Sequence, residues 1–335
     1  MGIKNFSQTF KPIKTINFKD IKNTRIAFDI MSELWRASLG TKNIKTLTDK
    51  NGNSTVHISV MLANIIQLAK NKVEIIGCFD YNKKSDETYH NPIKYDEIKK
   101  RQIIKDKAKK KLEEDKLISD DEEEIDEEKK LTNLKEKLDT DKKNMLEKQA
   151  FTVNSEMIND IKFIFDCLNI KYLEAPKTFE GEYMCSYLEK NDFVNGCFSN
   201  DTDLIAFGCK TFYRRNPRDK KIYIYTQDNI LEQIGENKNI NDIRKIAVIL
   251  GCDFCDKTNK IGPKTVFKKY QNIELNEKQL KAFDYYSKEL DNNIEINNTD
   301  KIQFIDCKKN ILIDWLVSEK SFNRDRITKQ LEDIN

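Results

Sequence analysis

No uninterrupted apolar run in the 335 residues approaches the length of a membrane span, so a helical transmembrane anchor is excluded from the expectations. An apolar signal core is missing as well. Met1-Gly2-Ile3-Lys4-Asn5-Phe6 opens like a myristoylation site but carries Phe6 where Ser or Thr is required. Histidine is scarce, with only His57 and His90, and the eight cysteines are scattered apart from one close pair, Cys252 and Cys255. A zinc site therefore lacks its second ligand pair, and a disulfide framework is not expected of an intracellular chain this long. Proline numbers five, and no repeat of solenoid period is found. The expectation is a soluble, unprocessed, intracellular chain without membrane association, and a monomer. Hydrophobic residues at 38% and charged residues at 34% agree with that class. The length suits about two average domains or one large α/β unit. A net charge of +3 is too small to argue for a nucleic-acid partner, so the placement of charge has to carry that question.

Several short apolar runs end in an acid: Arg25-Ile-Ala-Phe-Asp29, Val73-Glu-Ile-Ile-Gly-Cys-Phe-Asp80 and Val194-Asn-Gly-Cys-Phe-Ser-Asn-Asp201. Each reads as a buried strand with an Asp at its carboxyl end. Helical patterns lie between them, from Val56 to Ala69 and from Ser155 to Leu168, the latter with Ile158, Ile161, Phe165 and Leu168 on one face. Alternating strands and helices predict an α/β fold with a mostly parallel central sheet flanked by helices. Ligands of such sheets bind outside the carboxyl ends of the strands, so the three Asp residues are expected to converge on one edge. Lys210 to Arg215 and Lys221 to Tyr225 flank Asn216-Pro-Arg-Asp219 and predict a hairpin at the sheet's edge, and from Asn241 onward the pattern is helical.

A different composition begins at Lys94. Lys94 to Lys111 carries nine bases against three acids, whereas Glu113 to Glu128 carries eleven acids against one base. The first half suits phosphates and the second repels them. Read by itself, the segment is a solvated charged helical excursion.

Glu180-Gly-Glu182 and Asp201-Thr-Asp203 are acid-x-acid pairs, and Asp253 adds another acid in Leu250-Gly-Cys-Asp253. Taken singly, such a pair is more often a turn or an exposed helix end. Gathered into one site they repel unless cations neutralise them, and hard oxygen ligands without accompanying His point to magnesium or manganese. Two such ions about 3.5–4 Å apart can activate water, neutralise a phosphate and stabilise a leaving oxygen, which is phosphodiester hydrolysis.

In order and spacing these motifs resemble the flap endonuclease family of the XPG-type 5′-nuclease superfamily. Met1-Gly2-Ile3 resembles the family's start, and Ala27-Phe-Asp29 and Cys78-Phe-Asp80 its first two metal-site strands. Ala175-Pro-Lys-Thr-Phe-Glu180-Gly-Glu182 is similar to the paired-glutamate motif, and Ser199-Asn-Asp201-Thr-Asp203-Leu-Ile-Ala-Phe-Gly208 to the paired-aspartate motif. Ile249-Leu-Gly-Cys-Asp253-Phe-Cys255, followed by Ile261-Gly-Pro-Lys-Thr265, looks like the last ligand and the helix-hairpin-helix. The resemblance implies a PIN-like nuclease core in the segments 1–93 and 151–240, a charged helical arch at 94–150, and a helix-hairpin-helix with a C-terminal helical region at 241–335. It implies two Mg2+ ions, with Mn2+ as a substitute. Asp80, Glu180 and Glu182 would surround one ion and Asp201, Asp203 and Asp253 the other, with Asp29 contributing directly or through coordinated water. The reaction implied is cleavage of flapped or branched double-stranded DNA one nucleotide into the duplex, in replication, repair or recombination.

The resemblance also assigns residues outside the acids. Ile93-Lys94-Tyr-Asp-Glu-Ile-Lys-Lys-Arg101 is similar to the first helix of the arch, where Lys94 and Arg101, two turns apart on one face, would hold the scissile phosphate. Trp35 stands where the family stacks an aromatic on a base; a core aromatic is the alternative. Gly262 and Lys264 would offer the hairpin to a DNA phosphate, with a monovalent cation beside them. Thr55, in Ser54-Thr-Val-His57, matches the pocket for a one-nucleotide 3′ flap, and Gly2 joins the DNA-binding set. Two departures stand out: Tyr81 follows Asp80 where the family has Gly, and Lys260 replaces the first Gly of the hairpin. The chain ends in Lys329-Gln-Leu-Glu-Asp-Ile-Asn335, without the family's clamp-binding tail. Gln279 to Tyr286 has the clamp motif's outline but Ala282 in its aliphatic position, which argues against a sliding clamp as partner and for a buried aromatic helix face. Other readings are a 5′ exonuclease or junction-resolving nuclease of the same superfamily, a catalytically weak DNA-binding recruitment factor, and a metal-dependent RNase. The expected compartment is the nucleus or a viral cytoplasmic replication site.

Overall fold

The β-branched and aromatic runs form one sheet of seven strands among the described residues: β1 (Lys14–Ile16), β2 (Thr24–Asp29), β3 (Val73–Phe79), β4 (Lys171–Glu174), β5 (Gly196–Phe198), β6 (Thr211–Arg215) and β7 (Ile222–Thr226). Their order is β1-β7-β6-β5-β2-β3-β4. The structure is a computed structural model that describes residues 2–39, 47–81, 94–119, 142, 145–147, 149–289 and 308–332. The acidic stretch Asp120 to Glu128 lies outside them.

β2 pairs in parallel with β3 on one side and β5 on the other, β3 pairs in parallel with β4, and β5 with β6. The expected parallel core is therefore present. Ile26, Ala27 and Phe28 on β2 are fully buried, and Phe28 stacks on Phe198 of β5 at 5.0 Å. Burying one such side chain contributes about 1.5–3 kcal/mol, so this centre is held by side-chain packing as well as by the strand ladder. Because neighbouring strands leave β2 in opposite directions along the sheet, the crevice outside its carboxyl end is a topological switch point.

Helices cover the sheet. In the larger of two compact units, Met1–Tyr89 with Asn154–Asn335, α1 (Phe6–Thr9), α2 (Ile30–Leu39) and α3 (Val56–Lys70) precede the smaller unit, His90–Val153, whose main element is α4 (Tyr95–Ser119). The larger unit resumes with α5 (Ser155–Cys167), α6 (Gly181–Lys190), α7 (Gln227–Ile234), α8 (Ile240–Leu250), α9 (Val266–Lys269), α10 (Glu277–Ser287), α11 (Lys309–Ser318) and α12 (Arg324–Glu332). Asn154 caps α5 by accepting from the Met157 amide, which satisfies one of the helix's orphan donors. Phe165 of α5 lies on Gly77 of β3, where a Cβ would stand 2.3 Å from the ring. The C-terminal helices join the same core: Trp315 of α11 packs on Phe163 at 4.8 Å, and Lys320 bonds Asp160, which in turn meets His57 Nε2 at 3.0 Å. Gln279, Ala282, Tyr285 and Tyr286 are buried, and Gln279 bonds Val248 O and Thr258 Oγ1, so that face of α10 is interior.

Two expectations change. The hairpin of β6 and β7 forms, but β1 pairs with β7 and takes the edge. A three-residue strand is too short for a periodic signal, and it blunts the edge it covers. The run from Val194 to Asp201 yields only three strand residues, because Ser199 to Asp201 turn away to hold the site described next.

Candidate active site

Asp29 ends β2, Asp80 follows β3, and Asp201 follows β5, so the parallel register delivers three carboxylates to one crevice. Asp29 lies deepest. Ser199 Oγ donates to its Oδ2 at 2.5 Å and the Ser32 amide to its Oδ1 at 3.1 Å. Burial pushes the Asp29 carboxyl up to about 7; the two hydrogen bonds pull it down, and the charges of Asp80 and Asp201 push it up again.

The glutamate pair arrives on a helix end. Asp80 Oδ1 accepts from the Gly181 amide at 2.9 Å, placing Glu180 at the N-cap of α6 and Glu182 in its first turn. A Cβ on Gly181 would come within 3.1 Å of the Cys78 carbonyl, so the glycine between the glutamates permits the close approach of helix to strand. The aspartate pair is built by a 3-10 turn, Thr202–Ile205: Asp201 caps it by accepting from the Asp203 amide at 3.1 Å, while Ser199 Oγ accepts from the Asp201 amide at 2.8 Å. Asp203 is fully buried, and its charge, after burial, raises the Tyr286 hydroxyl far above its ordinary range.

Asp253 comes from the turn after α8, and the N-terminus joins it to Asp201. The Gly2 amide donates to Asp253 Oδ1 at 3.3 Å, and a Cβ on Gly2 would stand 2.2 Å from Asp201 Oδ1. Gly2 has φ +84°, and the Lys4 amide bonds the Gly251 carbonyl at 2.8 Å. Asp29, Glu182, Asp201 and Asp203 are buried, whereas Asp80, Glu180 and Asp253 are half-buried. An all-oxygen donor set whose deepest member is lifted to about 7, chiefly by burial, fits hard divalent cations.

Cys252 and Cys255 flank Asp253 with their sulfurs 3.6 Å apart, both buried. Glu189, Cys197 and Cys209 form a second buried group, but the Glu189 carboxylate accepts from the Lys210 and Thr211 amides and serves β6.

The DNA-binding expectations fall out differently. Trp35 is 42% exposed on α2 and is therefore not a core aromatic. Thr55 is buried at the N-cap of α3. The hairpin turn holds Gly262, whose amide donates to Thr265 Oγ1 at 3.1 Å, and an exposed Lys264. Lys260 adopts φ 60°, a left-handed conformation that favours glycine. In the smaller unit, Lys94 immediately precedes α4 and is buried, and Arg101 is exposed on that helix.

Four residues gained no role from the sequence. Ser32 and Ser199 bond Asp29, Ser32 Oγ also accepts from the Asn200 amide at 2.9 Å, and Asn200 Nδ2 donates to the fully buried Glu33. Ser199 and Asn200 sit inside the aspartate motif, which was the available signal; Glu33 had none.

With this geometry, comparison becomes specific. A family profile for the XPG I-region matches residues 169–253, the span that carries Glu180, Glu182, Asp201, Asp203 and Asp253. Flap endonuclease 1 of Methanobrevibacter smithii is 24% identical over 345 residues, covering 100% of this chain and 96% of that protein. Flap endonuclease 1 of Glycine max is 26% identical, covering 100% and 86%. The solved flap endonuclease-1 from Methanococcus jannaschii shares the fold with a TM-score of 0.67 at 20% identity, over 99% of this chain and 98% of that one. Human GEN1 in complex with Holliday junction DNA gives 0.62 at 15%, over 99% and 77%. The fold is the one these solved nucleases share, and the span that carries five of the acids resembles the XPG I-region. Over its whole length the chain is similar to flap endonucleases.

Proposed function

We propose that the protein is a structure-specific 5′ flap endonuclease that hydrolyses a DNA phosphodiester bond with two divalent metal ions. The observation that carries this reading is that Asp29, Asp80 and Asp201 follow β2, β3 and β5 into one crevice, with Glu180 and Glu182 tied to Asp80 through the Gly181 amide and Asp253 joined to Asp201 through Gly2. Asp80, Glu180 and Glu182 would hold one magnesium ion, and Asp201, Asp203 and Asp253 the other. Bound there, the ions supply an activated water and neutralise charge on the phosphate and leaving oxygen.

The chain's own residues do the rest. Asp29, fixed by Ser199 and Ser32, adds negative charge beneath the ligands and holds the crevice open to cations. Trp35 offers an exposed face on which a base stacks without regard to its identity, as a structure-reading enzyme requires. Lys94 and Arg101 on the charged segment 94–150, read as the arch, bring cations to the scissile phosphate; the turn at Gly262 and Lys264 holds the duplex backbone. Such an enzyme acts on flapped or branched DNA wherever a genome is copied or repaired, in the nucleus or at a viral replication site.

The test is cleavage of a double-flap DNA with magnesium, run beside nicked, gapped and four-way DNA. The expected outcome is a cut at the flap base that Asp201→Ala abolishes. Binding without cutting would end the enzymatic reading, and cutting by the Asp201→Ala variant would end the site assignment.

A further inference from the structure

Glu33 is a carboxylate with no solvent exposure, one turn along α2 from the deepest acid of the site. A buried charge requires partners, and Glu33 has a defined set. Arg36 Nε lies 3.0 and 2.9 Å from its two oxygens and Arg36 Nη2 lies 2.6 Å from Oε2. Asn200 Nδ2 donates to Oε1 at 2.5 Å and Asn64 Nδ2 to Oε2 at 3.4 Å. A second guanidinium, Arg215, lies on the Phe18 ring at 4.4 Å and reaches Asn64 Oδ1 at 3.5 Å. One carboxylate thus faces two guanidiniums, and the group carries a net charge of +1.

That excess charge is not sealed in. The Arg36 side chain remains 27% exposed while Glu33 is at 0%, and Arg36 Nη1 makes no hydrogen bond among the described residues. Arg36 therefore uses one side of its fork on Glu33 and presents the other to solvent. It follows exposed Trp35 in the chain, and its anchor is bonded to Asn200, the residue before Asp201.

We infer that Arg36 is a contact for a DNA backbone phosphate next to the base stacked on Trp35, and that Glu33 is the positioning residue that aims it. The inference rests on the flap endonuclease reading. A guanidinium already oriented by a buried carboxylate loses little freedom on meeting a phosphate, and its remaining N–H groups match phosphate oxygens. Asn200 ties this contact to the loop that carries Asp201, so strand placement and the acid cluster share one rigid connection.

Four full-length variants test it: Arg36→Ala, Arg36→Lys, Glu33→Gln and the double Glu33→Gln/Arg36→Ala, each assayed for kcat and KM on magnesium and flap DNA across a potassium chloride series, with Tm alongside. Arg36→Ala is expected to raise KM about tenfold with kcat nearly constant, and to flatten the plot of log kcat/KM against log salt by about one, the mark of one lost phosphate contact. Arg36→Lys should keep the wild-type slope with an intermediate KM. Glu33→Gln should raise KM about threefold with the slope retained, and the double variant should be no worse than Arg36→Ala, since Glu33 acts through Arg36. A wild-type salt slope in Arg36→Ala, with only Tm lowered, would reduce the pair to a structural clamp and overturn the inference. Additive losses in the double variant would remove Glu33 as its positioner. Arg36 is half-exposed, so its two variants decide the matter even if Glu33→Gln does not fold. Wild-type protein that cuts no flap would remove the functional reading itself, whereas active wild type with unchanged Arg36→Ala removes only this contact.

Discussion

At the scale of single residues, Gly2 occupies a place that no side chain can enter. A Cβ there would lie 2.2 Å from Asp201 Oδ1 and 2.8 Å from the Thr202 amide nitrogen, at a φ that already disfavours L residues. Gly2→Ala is expected to displace Asp201 and to lower kcat/KM on the order of 100-fold, because displacements near 1 Å carry that cost in a positioned site. A magnesium titration of activity checks it, with half-activation shifted to higher concentration; an unchanged titration would mean the N-terminus is merely adjacent. Asp29, Asp80 and Asp201 stood out in the sequence as strand ends, and Glu180, Glu182 and Asp203 as members of acid-x-acid pairs, whereas Asp253 was assigned through the resemblance. The side chains that hold them were not legible. Ser32, Glu33 and Asn64 meet their partners only once α2, α3 and the Asp201 loop are assembled, and nothing in their local sequence marks a buried polar contact.

Among the elements, the turn after Asp253 carries a measurable strain. Lys260 sits at φ 60°, exposed, where only glycine avoids the Cβ penalty of about 1–2 kcal/mol. Lys260→Gly is expected to stabilise the protein by about 1 kcal/mol net of the added freedom of the unfolded chain, read as a higher denaturant midpoint with an unchanged slope. A lower midpoint would show that the Lys side chain itself holds the turn. The longer elements were legible from periodicity: the parallel strands of the centre, the helix over Ser155–Cys167 and the hairpin of β6 and β7. β1 and β4 have three and four residues and half-exposed faces, so neither shows an alternation long enough to read. β1 joins the sheet only because β7 offers it an unpaired edge, a fact of tertiary structure.

For the molecule as a whole, the acid cluster couples stability to pH and metal. The Asp29 carboxyl stands at about 7 in the metal-free fold, against 3.8 in the unfolded chain. Between those values the folded state binds the extra proton, so this group's contribution makes stability fall as pH rises from about 4 to about 7. A divalent cation that binds only the folded state opposes the fall by mass action. Tm measured with chelator should decline across that interval, and the gap between magnesium-loaded and chelated protein should widen with pH. A constant gap would show that metal does not meet the buried carboxylates. The fold class was legible as a whole because alternating strands and helices allow few arrangements. How the acids share their burial was not, since desolvation depends on every element around the crevice.

The hydrogen bond from the Gly2 amide to Asp253 joins residues 251 positions apart. A ribosome must deliver three-quarters of the chain before that bond can close, and until then Asp201 lacks its C-terminal companion. A nascent or prematurely terminated chain would therefore hold several of the acids yet no finished centre.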